Sequence, residues 1–138
     1  MAPIDYDGSG ERQAECTAWT LVLYEQEFHA DMIADVFGVI DARKRRVTLS
    51  DDGSVATIDY TNESWLKNVK ALWALLRTHS DIAYAAGDLA PNDRIPGFME
   101  WVRGVGKVNV DDISAFVVDQ MNAGFFRDAA AASGTTSD

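Results

Sequence analysis

Residues 17–38 read TAWTLVLYEQEFHADMIADVFG, and how this stretch is divided decides the fold. The first seven residues, TAWTLVL, are apolar and β-branched with no breaker, which predicts a strand over 17–23. In that strand Trp19, Leu21 and Leu23 share one face, and Ala18, Thr20 and Val22 the other. After Tyr24 the period changes. Phe28, Met32, Ile33, Val36 and Phe37 fall at i, i+4, i+5, i+8 and i+9, one helical stripe, which predicts a helix over 25–37. Gly38 is placed to end it, since glycine tolerates the left-handed C-terminal conformation. The rest of this helix carries Glu25, Glu27, Asp31, Asp35 and His29.

Those acids pose a chemical question. Glu25 and His29 are i, i+4 neighbours on a helix, so their side chains are within reach of each other. A metal centre needs ligands converging from at least two elements. The other histidine, His79, ends a different helix, HExxH is absent, and the acidic row has no spaced glycine to make a calcium loop. An amphipathic helix requires a polar face in any case, so the acids read as solvated and no cofactor or metal is expected. Nucleophilic chemistry finds no GxSxG elbow, and Cys16, the one cysteine, reads as a free thiol. Gly104-Val105-Gly106-Lys107 is a fragment of a phosphate loop without the GxxxxGK[ST] frame and reads as a helix–helix connection.

Further along, RVTLS and SVATIDY flank Asp51-Asp52-Gly53, which predicts a hairpin over 46–60. A lone hairpin is not stable in water, and the 17–23 strand is expected to be its third member. Thr61 or Asn62 caps a helix over 62–79 whose stripe is Trp65, Val69, Leu72, Trp73 and Leu76, widened by Leu66 and Leu75. A short helix over 97–103 turns Phe98, Trp101 and Val102 inward, and Asn109 caps a last helix over 110–125. Residues 1–15 read as a disordered lead-in, 16–127 as one globular domain and 128–138 as a disordered tail, because the ends lack enough apolar side chains to offset chain entropy.

The chain has 138 residues and a net charge of −10. Affinity for nucleic acid comes largely from neutralising phosphates, so this balance argues against a nucleic-acid function and for solubility. The one basic run, Arg43-Lys44-Arg45-Arg46, reads as a solvated strand entry or a dock for an acidic partner. No apolar run is long enough for a membrane span. Phe125 and Phe126 are adjacent, and a narrow helical stripe does not bury both. With Phe98 and Trp101 they are the candidate lining of a partner groove.

TAWTLVLYEQEFHADMIADVFG, followed by a hairpin ending in IDYTNESWLKNVKALWALLRT, resembles the tail assembly chaperones of long-tailed bacteriophages. The resemblance rests on YEQEF, on Asp31, Ile33 and Asp35 to Gly38, on Trp65 with Ala71 to Ala74, and on Trp101, and it spans roughly residues 17–127. It implies a protein without catalytic activity that binds the long, helical tape measure protein. Such a chaperone keeps that protein soluble in the cytoplasm of the bacterial host, and it is absent from the mature virion. It further implies a frameshifted extension that recruits the tail tube protein. The resemblance assigns no residue to these contacts. A homo-oligomer is left open by the sequence. So are two rival functions, a structural tail protein retained in the virion and a small enzyme using Glu25 and His29. The expected fold is α+β: a small antiparallel sheet, the N-terminal strand plus the hairpin, packed by about four helices.

Overall fold

The computed structural model describes residues 2–45, 47–49, 55–58 and 62–125. In chain order the elements are β1 (Ala2–Ile4), β2 (Arg12–Ala14), α1 (Ala18–Phe28), α2 (Met32–Arg45), β3 (Val47–Leu49), β4 (Val55–Ile58), α3 (Asn62–Ala85), a 3₁₀ turn at Pro91–Asp93, α4 (Phe98–Arg103) and α5 (Val110–Phe125). The α+β class stands. The sheet component is two separate two-stranded antiparallel sheets, β1–β2 and β3–β4. In the second, Val47 pairs with Ile58 and Thr48 with Thr57, and the register shifts before Leu49 meets Val55. The expected turn at 51–53 lies outside the described residues.

The segment 17–23 is not a strand; it is the first half of α1. Its start is fixed by a reciprocal cap. The Thr17 side chain accepts a hydrogen bond from the Trp19 N–H at 3.1 Å, and the Thr20 hydroxyl accepts one from the Thr17 N–H at 3.0 Å. Thr20 is also buried. Its hydroxyl lies 2.6 Å from that of Thr78 on α3 and 3.3 Å from the Glu15 carbonyl, and Thr78 donates to the Ala74 carbonyl at 2.7 Å. Thr20, Leu23 and Tyr24 then form the buried stripe of a helix, while Trp19 and Val22 face out. β-branched composition is a weak local preference. Caps and a buried cross-helix bond outweigh it.

The single helix expected over 25–37 is two helices joined by an elbow. His29 ends α1 in the left-handed region (φ 51°, ψ 44°), its N–H donating to the Glu25 carbonyl at 2.8 Å. Asp31 opens α2 by accepting the Ala34 N–H at 3.1 Å. Gly38 does not end α2, which runs to Arg45. Met32 and Val36 point inward as the stripe requires, with Ile33 and Phe37 half-buried against the same core.

Residues 2–14, within the expected disordered lead-in, form a hairpin in which Ala2 pairs with Ala14 and Ile4 with Arg12. Its loop is tied by Asp5, whose Oδ1 accepts the Gly8 N–H at 2.8 Å, and Gly8 and Gly10 supply positive φ values of 80° and 128°. The hairpin is anchored rather than self-sufficient. β2 lies on α3, Ala14 is fully buried, and the Glu15 N–H donates to the Leu75 carbonyl at 3.1 Å.

α3 is the hub, packed against β2, α1, α2, α4 and α5. From Ala71 to Leu76 every residue is buried, as suits a helix covered on all sides. Val69, Leu72, Trp73, Leu75 and Leu76 belong to this core as expected, but Leu66 is exposed. Thr61, one of the two expected caps, lies outside the described residues. α5 adds Ile113, Val117 and Met121, and Asn109 caps it by accepting the Asp112 N–H at 3.1 Å.

Candidate functional site

Of the four aromatic residues assigned to a partner groove, Phe98 and Trp101 are interior, only 5% and 7% exposed. Their rings belong to a cluster in which Phe28 meets Phe98 edge-on at 4.9 Å and Trp73 at 5.6 Å, and Trp101 lies 6.1 Å from Phe98 and 5.6 Å from Tyr6. The Trp101 indole N–H donates to the Tyr6 hydroxyl at 3.2 Å, and that of Trp73 to the Pro96 carbonyl at 2.9 Å. Edge-on pairs of this kind stabilise a core beyond the area they bury. Phe125 is half-buried against the core, and Phe126 lies outside the described residues. The inward reading of Phe98 and Trp101 is the one the structure follows.

Different apolar side chains reach the surface. On α1, Trp19 is 43% exposed and Val22, one turn on, 39%. The Trp19 indole N–H donates to Asp81 Oδ2 at 2.8 Å, which holds the start of α1 beside the end of α3, where Ile82 is 41% exposed. Asp81 is a node. Its Oδ1 also accepts from Arg77 Nε at 2.9 Å and from Arg94 Nη2 at 3.0 Å, and the Arg94 guanidinium lies 4.1 Å from the Tyr84 ring centre. Burial works against the charge on Asp81, but the three donors, Trp19, Arg94 and Arg77, outweigh it and hold the carboxyl below its ordinary value. Together with the Ile95 N–H bond to Ser80 Oγ at 2.8 Å, this node fixes the loop between α3 and α4.

The α1–α2 elbow carries an open cleft of about 460 Å³. Leu21, Ala30, Met32 and Ile33 give it an apolar floor, and Glu25, His29 and Asp31 are on its rim. The structure therefore does bring Glu25 and His29 to one depression, though across the end of α1 rather than along a continuous helix. Behind it the Tyr24 hydroxyl donates to Asp35 Oδ2 at 2.7 Å. Burial, with that bond to a carboxylate, raises the Tyr24 hydroxyl above its ordinary range.

Among the described residues no group of three or more His, Cys, Asp or Glu side chains is placed to hold a metal ion. His79 pairs instead with Glu15, Nδ1 to Oε1 at 2.9 Å. Burial pushes the Cys16 thiol up to about 12, which keeps it a thiol rather than a nucleophilic thiolate at neutral pH. Residues 104–109 join α4 to α5, as a helix–helix connection. Among the described residues no helix is long and apolar enough to cross a membrane. The exposed pairing of Trp19 with Val22 was missed because the strand reading set the two on opposite faces, and the Thr17-x-x-Thr20 spacing is the signal that corrects it. No protein-family model, no curated protein and no solved structure matches the chain.

Proposed function

We propose that this protein is a tail assembly chaperone of a long-tailed bacteriophage, acting in the host cytoplasm to keep the tape measure protein soluble and leaving before the virion is complete. The reading rests on the resemblance carried by YEQEF, the Asp31–Gly38 run and Trp65 with Ala71–Ala74. One structural observation supports it: Trp19 and Val22 stand exposed one turn apart on α1, whose start the Trp19–Asp81 bond holds to the end of α3. An amphipathic helix docks by inserting apolar anchors at such spacing, and a tape measure protein is a long series of such helices. The charge of −10 suits a protein that must stay dissolved while presenting apolar surface. A frameshifted extension reaching the tail tube protein belongs to the same proposal.

The test is co-expression with a tape measure protein. The soluble fraction of that partner should rise with the chain present, and fall back with Trp19→Ser and Val22→Ser combined. Partner solubility that is the same with and without the chain overturns the reading. Mass spectrometry of purified particles should not detect the chain; its presence in stoichiometric amount assigns it instead to the tail structure.

A further inference from the structure

The exposed Trp19 is joined through one carboxylate to two guanidiniums. Asp81 Oδ2 accepts the Trp19 indole N–H, and its Oδ1 accepts from both Arg77 Nε and Arg94 Nη2. Two cations against one anion leave this node with a net positive charge, in a chain whose net charge is −10. Both arginines are partly exposed, and among the described residues Arg77 bonds only through Nε and Arg94 only through Nη2. A guanidinium carries five N–H donors, so most of them meet no protein acceptor. Arg94 Nε is buried and also has none among the described residues. Asp81 therefore does not satisfy the pair. Arg94 lies over the exposed Tyr84 ring, 4.1 Å from its centre. A guanidinium set on a ring is a planar fork already ordered to receive a carboxylate.

We propose that the helix docking on Trp19 and Val22 is an acidic one, with a glutamate or aspartate beside its apolar anchors whose carboxylate bridges Arg77 and Arg94. The inference rests on the reading of Trp19 and Val22 as the docking face and adds what selects the partner. Apolar anchors alone accept any amphipathic helix. A carboxylate set against two guanidiniums discriminates by sign, because a lysine in its place meets like charge. The net charge of −10 works the other way and draws basic partners from a distance. Salt screens that field beyond about 8 Å at physiological ionic strength, whereas the bridge forms in contact.

Two synthetic amphipathic helical peptides test this, with identical apolar anchors and with glutamates in one where the other has lysines beside the stripe. The full-length chain should bind the glutamate peptide about tenfold more tightly, against the sign of its own net charge. Arg77→Gln with Arg94→Gln should abolish that preference, and circular dichroism checks that the variant is folded. Either single glutamine variant leaves Asp81 one guanidinium and should lose part of the preference, so the test does not depend on the double variant folding. Peptides bound alike, neither peptide bound, or a preference that survives the glutamine variants overturns the inference. So does a chain that binds inorganic phosphate at the node without preferring the glutamate peptide. Any of these leaves the chaperone reading standing where the chain still keeps a tape measure protein soluble. Partner solubility that is the same with and without the chain overturns that reading, whichever peptide is preferred.

Discussion

At Gly124 two effects of one methyl group oppose each other. Replacing a helical glycine by alanine ordinarily stabilises by about 0.8–1 kcal/mol. Here a Cβ would stand 2.6 Å from the Cys16 carbonyl oxygen and 2.7 Å from the Cys16 Cβ and Sγ. The obstructing atoms include backbone, and that backbone is held by the adjacent Glu15–Leu75 hydrogen bond, so it does not swing aside. Gly124→Ala should therefore destabilise, by about 1–3 kcal/mol in urea unfolding, as overpacking does. Cys16→Ala in the same chain should recover only part, since it removes Sγ and leaves the carbonyl oxygen. Asp81 gives the second prediction at this scale. Asp81→Asn weakens bonds to Trp19, Arg77 and Arg94 and should cost about 1–2 kcal/mol at neutral pH, discounted because both arginines are partly exposed. The folded carboxyl value lies below the unfolded value of about 3.9. Its stabilisation is thus complete above the unfolded value and lost as pH falls through the folded one. The gap between wild type and Asp81→Asn should be widest at neutral pH and close in acid. A gap that stays constant down to about pH 3 would place the effect elsewhere than in the carboxylate.

Among the elements, α1 shows what a sequence conceals. Helices α3 and α5 were legible because their apolar side chains repeat over four turns or more, and the Ala71–Leu76 block is apolar without interruption. In TAWTLVL the decisive residues are polar. Thr17 and Thr20 close a cap, and Thr20 then meets a hydroxyl 58 positions away, which no local pattern reveals. The elbow was hidden for a related reason: it turns on a left-handed histidine rather than a glycine. Phe28 was read as the first member of the α2 stripe, yet it ends α1 and stands between Trp73 and Phe98. That placement is why the predicted groove residues Phe98 and Trp101 are interior. The acids and histidine of the elbow were picked out from sequence, but their common cleft depends on the bend. The cap account predicts that Thr17→Ala costs about 1 kcal/mol. Thr20→Val should cost more, about 2 kcal/mol, because it also removes the buried hydroxyl bonded to Thr78. Equal losses would show that the Thr20–Thr78 bond adds nothing beyond the cap.

For the whole molecule, the question is how the hub stays covered. A helix buried on every side needs a partner in each direction, and residues 2–14 supply one of them. β2 closes over α3 at Ala14, Glu15 bonds Leu75 through its N–H and His79 through its carboxylate, and Tyr6 seals Trp101 by ring contact and hydrogen bond. Burial also lifts the Tyr6 hydroxyl above its ordinary range, only partly offset by the Trp101 bond, so the seal stays neutral at physiological pH. The hairpin is short and glycine-turned, so it owes its order to α3. By the same contacts α3 owes part of its cover to the hairpin. A chain starting at Glu15 should therefore be less stable by about 2–4 kcal/mol, a loss comparable to emptying part of a core. It should also expose the Trp101 and Leu75 region, seen as a shift in tryptophan fluorescence and as binding of a hydrophobic dye. Full-length Tyr6→Ala separates the two parts of this cover. It should lose the Trp101 contact, with about 1–2 kcal/mol of stability, while the Ala14 and Glu15 contacts to α3 persist. Unfolding curves that coincide for the full chain and the chain starting at Glu15 would show that α3 is closed by the helices alone.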